Sequence, residues 1–212
     1  MAERTARQQR HDERHRHILA AARERADADG WPAVTTRRLS EAIGYTQPVL
    51  YSHFPGGKSE IMLAVALEGF VELTRRCRAA LDGERGRPAV EAVSVAYLDF
   101  AGEHPAVYEA MFQEPIDTAF AQDDTRAELR AGFDTLAEAI GDDGDDGGTA
   151  TEVFWSALHG ACLLERAGRV RPEHRARRVA ELAARFTKPR SPGAADLDPH
   201  GPPRTFTTGA PP

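Results

Sequence analysis

Cysteine is scarce in this chain: Cys77 and Cys162 are the only two among 212 residues. Two cysteines build neither a disulfide framework nor a cysteine zinc site. Long apolar runs are also missing, and the longest, Ile61–Leu67, is far too short to span a bilayer. The N-terminus is polar and arginine-rich and lacks the apolar stretch of a secretory signal, so a cytoplasmic protein without membrane contact is expected. Catalytic spacings are absent as well. His104, His159 and His174 are dispersed, with no His-Glu-x-x-His pattern, no Gly-x-Ser-x-Gly elbow and no phosphate-binding glycine loop. His159 and Glu165 fall about 120° apart on one helix, which does not make an acid–base pair. No catalytic residue, metal or cofactor is therefore expected, and the enzyme class is set aside.

A strong basic balance is lacking too: the net charge is −6. That charge is unevenly placed, however. Residues 1–60 hold ten Lys and Arg against eight Asp and Glu, a balance of +2, and four of the eight histidines, leaving −8 for the remainder. A weakly basic N-terminal part on an acidic body fits a DNA-binding head carried by a domain of another purpose.

The organising stretch is Val34–Phe54, VTTRRLSEAIGYTQPVLYSHF. Leu39, Ala42 and Ile43 follow i, i+3, i+4 spacing and share one face of a short helix from about Thr36. Thr35 caps its start and Gly44 sits where it must stop. Thr46 is placed to cap a second helix, about Gln47–His53. Pro48 falls in its first turn, where a missing N–H costs nothing, and Leu50 and Phe54 continue the buried face. Two helices around a tight glycine turn form either a plain helical hairpin or a helix-turn-helix, whose second helix enters the DNA major groove.

The wider string decides between them. HILAAARERADADGWPAVTTRRLSEAIGYTQPVLYSHFPGGKSEIM resembles the DNA-binding region of the TetR family of bacterial repressors. It has an Ile-Leu-x-Ala-Ala first helix, Gly-x-x-x-x-Thr before the second, a Gly-Tyr-Thr turn, Leu-Tyr-x-His-Phe, and a lysine opening the next helix. That lysine comes one residue later than the family's common Phe-x-x-Lys. The resemblance implies double-stranded DNA as partner and phosphate contacts from Tyr51 and His53. Arg37, in the first turn of the helix starting at Thr36, opposes the helix dipole, a placement that suits a nearby phosphate. Lys58, beside the N-terminus of the fourth helix, offers another phosphate site. Gln47 can present a bidentate edge to adenine, Thr46 can reach a base or phosphate, and Pro48 and Val49 can meet a thymine methyl.

The whole chain reads as all-α, with about nine helices. Residues 1–11 are expected to be a flexible basic arm, and 12–58 a three-helix helix-turn-helix domain. A helical ligand-binding and dimerisation bundle is expected over 59–187, followed by a disordered Pro/Gly-rich tail over 188–212. The fourth helix, about Ser59–Leu81, carries the stripe Met62, Val65, Ala66, Gly69, Phe70, Leu73 and Cys77 from head to body. Later helices are expected over about 89–102, from 105 to near Pro115, from about Asp123 to Ile140, over 149–167 and over 172–186. The acidic run 141–148, GDDGDDGG, lacks the downstream glutamate of a calcium loop and reads as a solvated loop.

Tyr97, Met111, Phe112, Phe133, Trp155 and His159 have the makings of an apolar pocket with polar handles, although such a stripe also makes simple core. VFWSALHGACLLE resembles the Trp-x-x-x-His-Gly signature of one branch of C-terminal domains in the family. The resemblance implies an unidentified small-molecule effector and a homodimer formed by the last two helices, with Val153, Gly160, Ala161, Val179, Leu182 and Phe186 as contacts. A silencer without any effector, and a pure helical interaction module, are the competing readings.

Overall fold

The computed structural model describes residues 2–112, 127–144 and 148–187. Every regular element among them is helical. The head consists of α1 (Ala2–Asp29), a 3₁₀ turn (Trp31–Ala33), α2 (Thr36–Ile43) and α3 (Gln47–His53). The body contains α4 (Lys58–Leu81), α5 (Gly86–Glu103), α6 (Pro105–Phe112), α7 (Ala127–Ile140), α8 (Thr149–Arg166) and α9 (Arg175–Phe186). Another 3₁₀ turn, Pro172–His174, precedes α9.

One expectation fails at the start of the chain. The flexible arm expected over 1–11 is helical from Ala2, so α1 begins about ten residues before Asp12. Its sequence explains the extension: it contains neither proline nor glycine, and Gln8 donates to Asp12 at 2.9 Å across one turn. The stripe Ile18, Leu19, Ala22 and Ala26 is buried as its spacing predicts.

Gly30 turns the chain out of α1 at φ 77°, and Thr35 caps α2 by accepting from the Arg38 amide at 3.2 Å. Gly44 ends α2 in the left-handed region at φ 68°. Two details differ from the sequence reading. Ala42 is exposed, and the inward side of α2 is made by Leu39 and Ser40, whose hydroxyl bonds back to the Thr36 carbonyl at 2.8 Å. Thr46 occupies the N-cap of α3 with its carbonyl, which accepts from Val49 and Leu50, while its hydroxyl makes no cap bond.

Helix α4 is the spine, packing against α1, α5, α6 and α7. Gly69 sets the spacing to α6. A Cβ there would lie 2.6 Å from Val107 Cγ1 and 2.7 Å from Met111 Sδ. A continuous apolar core runs from Ile18 in the head to Ala183 in α9, with Trp31, Phe54, Tyr97, Phe100 and Phe154 almost fully enclosed. Asp142, from the acidic run, accepts from the Thr151 amide at 3.2 Å and from its hydroxyl, so it secures the first turn of α8. The expected helix start at Asp123, the helix end near Pro115, residues 145–147 and the 188–212 tail lie outside the described residues. Among the described residues, no helix is long and apolar enough to cross a membrane.

Candidate nucleic-acid interface

Helix α3 is anchored from behind and open in front. Leu50 and Phe54 are 0% and 1% exposed, each burial contributing roughly 1.5–3 kcal/mol. Their spacing turns Thr46, Gln47 and Pro48 outward as exposed side chains, with Val49 half-buried beside them. Tyr51 is 44% exposed, and its hydroxyl lies 3.4 Å from Thr36 Oγ1, which joins the middle of α3 to the first turn of α2. Arg37 stands at the surface in an i, i+4 pair with Glu41 at 2.9 Å. An exposed pair of this kind is weak, so the guanidinium is free to exchange partners.

Lys58 is placed differently from its expected role as an open phosphate cation. It is the first residue of α4, and its ammonium donates to the Trp31 carbonyl at 2.7 Å, pinning the start of α4 to the head. The extra residue in Pro55-Gly56-Gly57 is absorbed by Gly57 at φ 62°, and the Gly56 amide donates to Glu60 at 2.7 Å.

His53 is half-buried, and residues not selected from the sequence surround it. Its ring centroid lies 4.1 Å from His11 and 6.3 Å from His15, and His15 stacks on Phe54 at 4.5 Å. Its Nδ1 is buried without a hydrogen-bond partner. Burial first, then the charge of His11, His15 and Arg14, pushes the His53 imidazole below its usual range. Further along α1, His17 Nδ1 lies 3.3 Å from the Tyr45 hydroxyl in the turn before α3. The sequence signal was the i, i+4 pair His11 and His15, which becomes visible only once α1 is known to extend that far.

In the body, Tyr97, Phe112, Trp155 and His159 come together, joined by Tyr108 and Phe70, which the sequence reading did not select for a pocket. Trp155 Nε1 donates to the Tyr97 hydroxyl at 3.1 Å. The Tyr97 and Tyr108 hydroxyls are 3.2 Å apart, and Tyr108 lies 2.8 Å from His159 Nδ1. Tryptophan can only donate, so Tyr97 accepts from Trp155 and its own proton goes on to Tyr108, whose hydroxyl lies against both His159 and Cys162. Burial pushes both tyrosines up and His159 down, which keeps the phenols protonated and the imidazole neutral for this role. Met111 is buried at the edge, against Gly69. Phe133 does not join the cluster. Its ring lies 3.2 Å from where a Cβ on Gly148 would sit, at the start of α8. The two cysteines are buried thiols, pushed up to about 12 for Cys77 and about 11 for Cys162.

The residues expected at a dimer contact divide. Val153 is 55% exposed, Gly160 has open space in front of it, and Ala161 is half-buried, all on α8. On α9, Val179 is 6% exposed and Phe186 packs its ring 4.9 Å from Phe154, so both are already engaged inside the subunit. The cause is that the apolar side of α9 is turned onto α5. Leu182 lies half-buried in an open groove with His174, Arg177, Arg178 and Arg185.

The head tied to the body by Trp31 and Asp27 has the architecture of a helix-turn-helix regulator: Trp31 Nε1 donates to the Ala106 carbonyl at 2.8 Å, and Asp27 accepts from the Ala106 amide at 3.3 Å. Residues 18–65 match the family model of bacterial regulatory proteins of the tetR family, and residues 90–187 match that of the tetracyclin repressor-like C-terminal domain. The HTH-type transcriptional regulator YobS of Bacillus subtilis is 33% identical over 154 residues, covering 69% of this chain and 76% of YobS. The HTH-type transcriptional regulator Rv0681 of Mycobacterium tuberculosis is 30% identical over 147 residues, covering 67% of this chain and 65% of Rv0681. The fold is shared with the TetR family transcriptional regulator PfmR of Thermus thermophilus, at a TM-score of 0.58 and 23% identity over 79% of this chain and 97% of that one. The chain belongs to the TetR family of helix-turn-helix, DNA-binding transcriptional regulators.

Proposed function

We propose that this regulator is a cytoplasmic repressor that binds a palindromic operator as a homodimer and is released by a small molecule held in its body. The observation that carries the reading is the outward row Thr46, Gln47 and Pro48 on a helix whose Leu50 and Phe54 are locked in the core. In this proposal Thr46, Gln47, Pro48 and Val49 read base edges. Thr36, Arg37, Tyr51 and His53 hold phosphates, and Lys58 contributes charge from its anchored position. In this division α1 to α3 form the DNA-reading head and α4 to α9 the ligand-binding and dimerisation body.

Dimerisation through α8 is supported by Val153 and Leu164, 55% and 45% exposed on a helix that also carries the open Gly160. A two-fold dimer places its recognition helices about 34–36 Å apart at the simplest half-site spacing. The effector site is assigned to Tyr97, Tyr108, Phe112, Trp155 and His159, where Trp155-x-x-x-His159-Gly160 supplies the polar end. Met111 forms its floor. Ligand contact with Tyr108 or Phe112 moves α6, whose N-terminus is gripped by Trp31 and Asp27 and whose inner face rests on α4 at Gly69. The separation of the two heads then changes. Release is limited to the ligand's preference for the DNA-incompetent shape, typically about 1–3 kcal/mol.

Selection of genomic fragments by the purified protein at two salt concentrations tests this reading. A palindrome whose affinity falls steeply with salt is the expected result. Recovery of no preferred sequence would refute operator binding.

A further inference from the structure

The α1 extension does something the helix-turn-helix alone does not. It lays His11 against His53 at the end of the recognition helix and His15 against Phe54 beside it. Three imidazoles from two helices thus meet at the edge of the DNA-reading surface. Arg14 faces His53 from α1, and Arg7 and Arg10 continue along the exposed, preceding turns. Among the described residues, the carboxylate paired with this cluster is Asp12, 3.7 Å from His11 Nδ1, and it is shared with Gln8. Neutral imidazoles stack here without penalty, whereas charged ones repel each other and Arg14. The buried Nδ1 of His53 has no partner to stabilise an added proton.

We propose that His11, His15 and His53, with Arg14, form a phosphate site for the DNA backbone that takes up protons as DNA binds. The inference rests on α3 meeting DNA. A phosphate brought to this edge supplies negative charge beside the clustered imidazoles, so it favours the protonated His53 that burial and its neighbours disfavour in the free protein. By linkage, a complex that binds more protons than its parts tightens as pH falls, by up to about tenfold per pH unit for each proton fully taken up. The free protein behaves oppositely. His53 is harder to protonate when folded than when unfolded, so its contribution is intact above the usual imidazole range and is lost as pH falls through that range.

The test is fluorescence anisotropy with a random-sequence DNA duplex at fixed ionic strength between pH 8.5 and 5.5, beside melting curves of the free protein. The random duplex needs no knowledge of the operator, because phosphate attraction is sequence-independent. The expected result is affinity that rises about three- to tenfold per pH unit below pH 7.5, and a slope that largely disappears in His11→Gln/His15→Gln. The single variant His11→Gln, at an exposed position, serves if the double variant melts too low to assay, and it should lose part of the slope. Binding with no pH dependence, or a slope unchanged in a folded variant, overturns the proton-linked site and leaves DNA binding intact. Absence of binding at every pH overturns the DNA reading beneath it.

Discussion

Replacing Gly69 with alanine tests the packing of α4 on α6 with two opposing effects of known size. Alanine in a helix interior gains about 1 kcal/mol over glycine. The new methyl would lie 2.6 Å from Val107 Cγ1 and 2.7 Å from Met111 Sδ, where contact needs about 3.5–4.0 Å. Methionine can swing aside. Val107 is β-branched, stiff at χ1 and 4% exposed, so it yields only if α6 moves by about 1 Å. Overpacking of this kind costs about 1–3 kcal/mol, which exceeds the propensity gain and leaves a net loss of about 1 kcal/mol. For a chain of this size that lowers Tm by about 2–4 °C. Displacing α6 also loosens the Trp31 bond to Ala106, so Trp31 emission in a Trp155→Phe background should shift to the red. The measurement is a double-mutant cycle by thermal melting, with Val107→Ala opening the space and returning most of the loss. A Gly69→Ala protein more stable than the parent, or a cycle with no coupling between 69 and 107, would refute the reasoning.

Other perturbations separate the remaining roles. Gln47→Ala should relax preference at one operator position by about 1–3 kcal/mol, whereas Tyr51→Phe should weaken all sequences alike; a base-substitution series with both variants checks this, and identical profiles would contradict the division. Val153→Glu places a charge on the open face of α8, and sedimentation should show a folded monomer with palindrome binding lost; a variant that stays dimeric would move the interface elsewhere. The Tm of the free protein should be level above about pH 7.5 and fall as pH drops through about 6.5, because burial holds His159 and His53 below their unfolded values. His159→Gln should flatten part of that fall, and an unchanged profile would mean that the Tyr108–His159 contact is not maintained in solution.

The head was legible in sequence because its elements are set by neighbours in the chain. Thr35, Gly44 and Pro48 mark helix ends through local chemistry, and the stripe Leu39, Leu50 and Phe54 fixes which side is buried. Ala42 misled because a small side chain satisfies a periodic pattern without being needed inside. The extension of α1 was missed for a related reason. It has no apolar stripe before Ile18, and helical propensity alone does not announce itself in a polar run. In the body, Tyr108 reads as ordinary core until its hydroxyl meets His159 from a helix fifty-one residues away. The i, i+3, i+4, i+7 spacing of Val179, Leu182, Ala183 and Phe186 marks a buried side of α9, but no periodicity says that α5 and Phe154 of the same subunit cover it.

The geometry gives α1 a larger part than support from behind. His17 touches Tyr45 at the turn before α3, His11 and His15 pack on its far end, and Asp27 holds the N-terminus of α6. A helix of 28 residues is about 42 Å long and moves as one body, so a shift at its Asp27 end is carried to both ends of the recognition helix. Helix α4 also reaches the head, through its own packing on α1, where Arg23 pairs with Glu68, and through Lys58 and the Pro55-Gly56-Gly57 turn. In the proposed switch, a displacement of α6 therefore reaches α1 by two rigid links, through Trp31 and Asp27 directly and through α4 at Gly69. Gly69 is then the point where α4 limits how far α6 can travel.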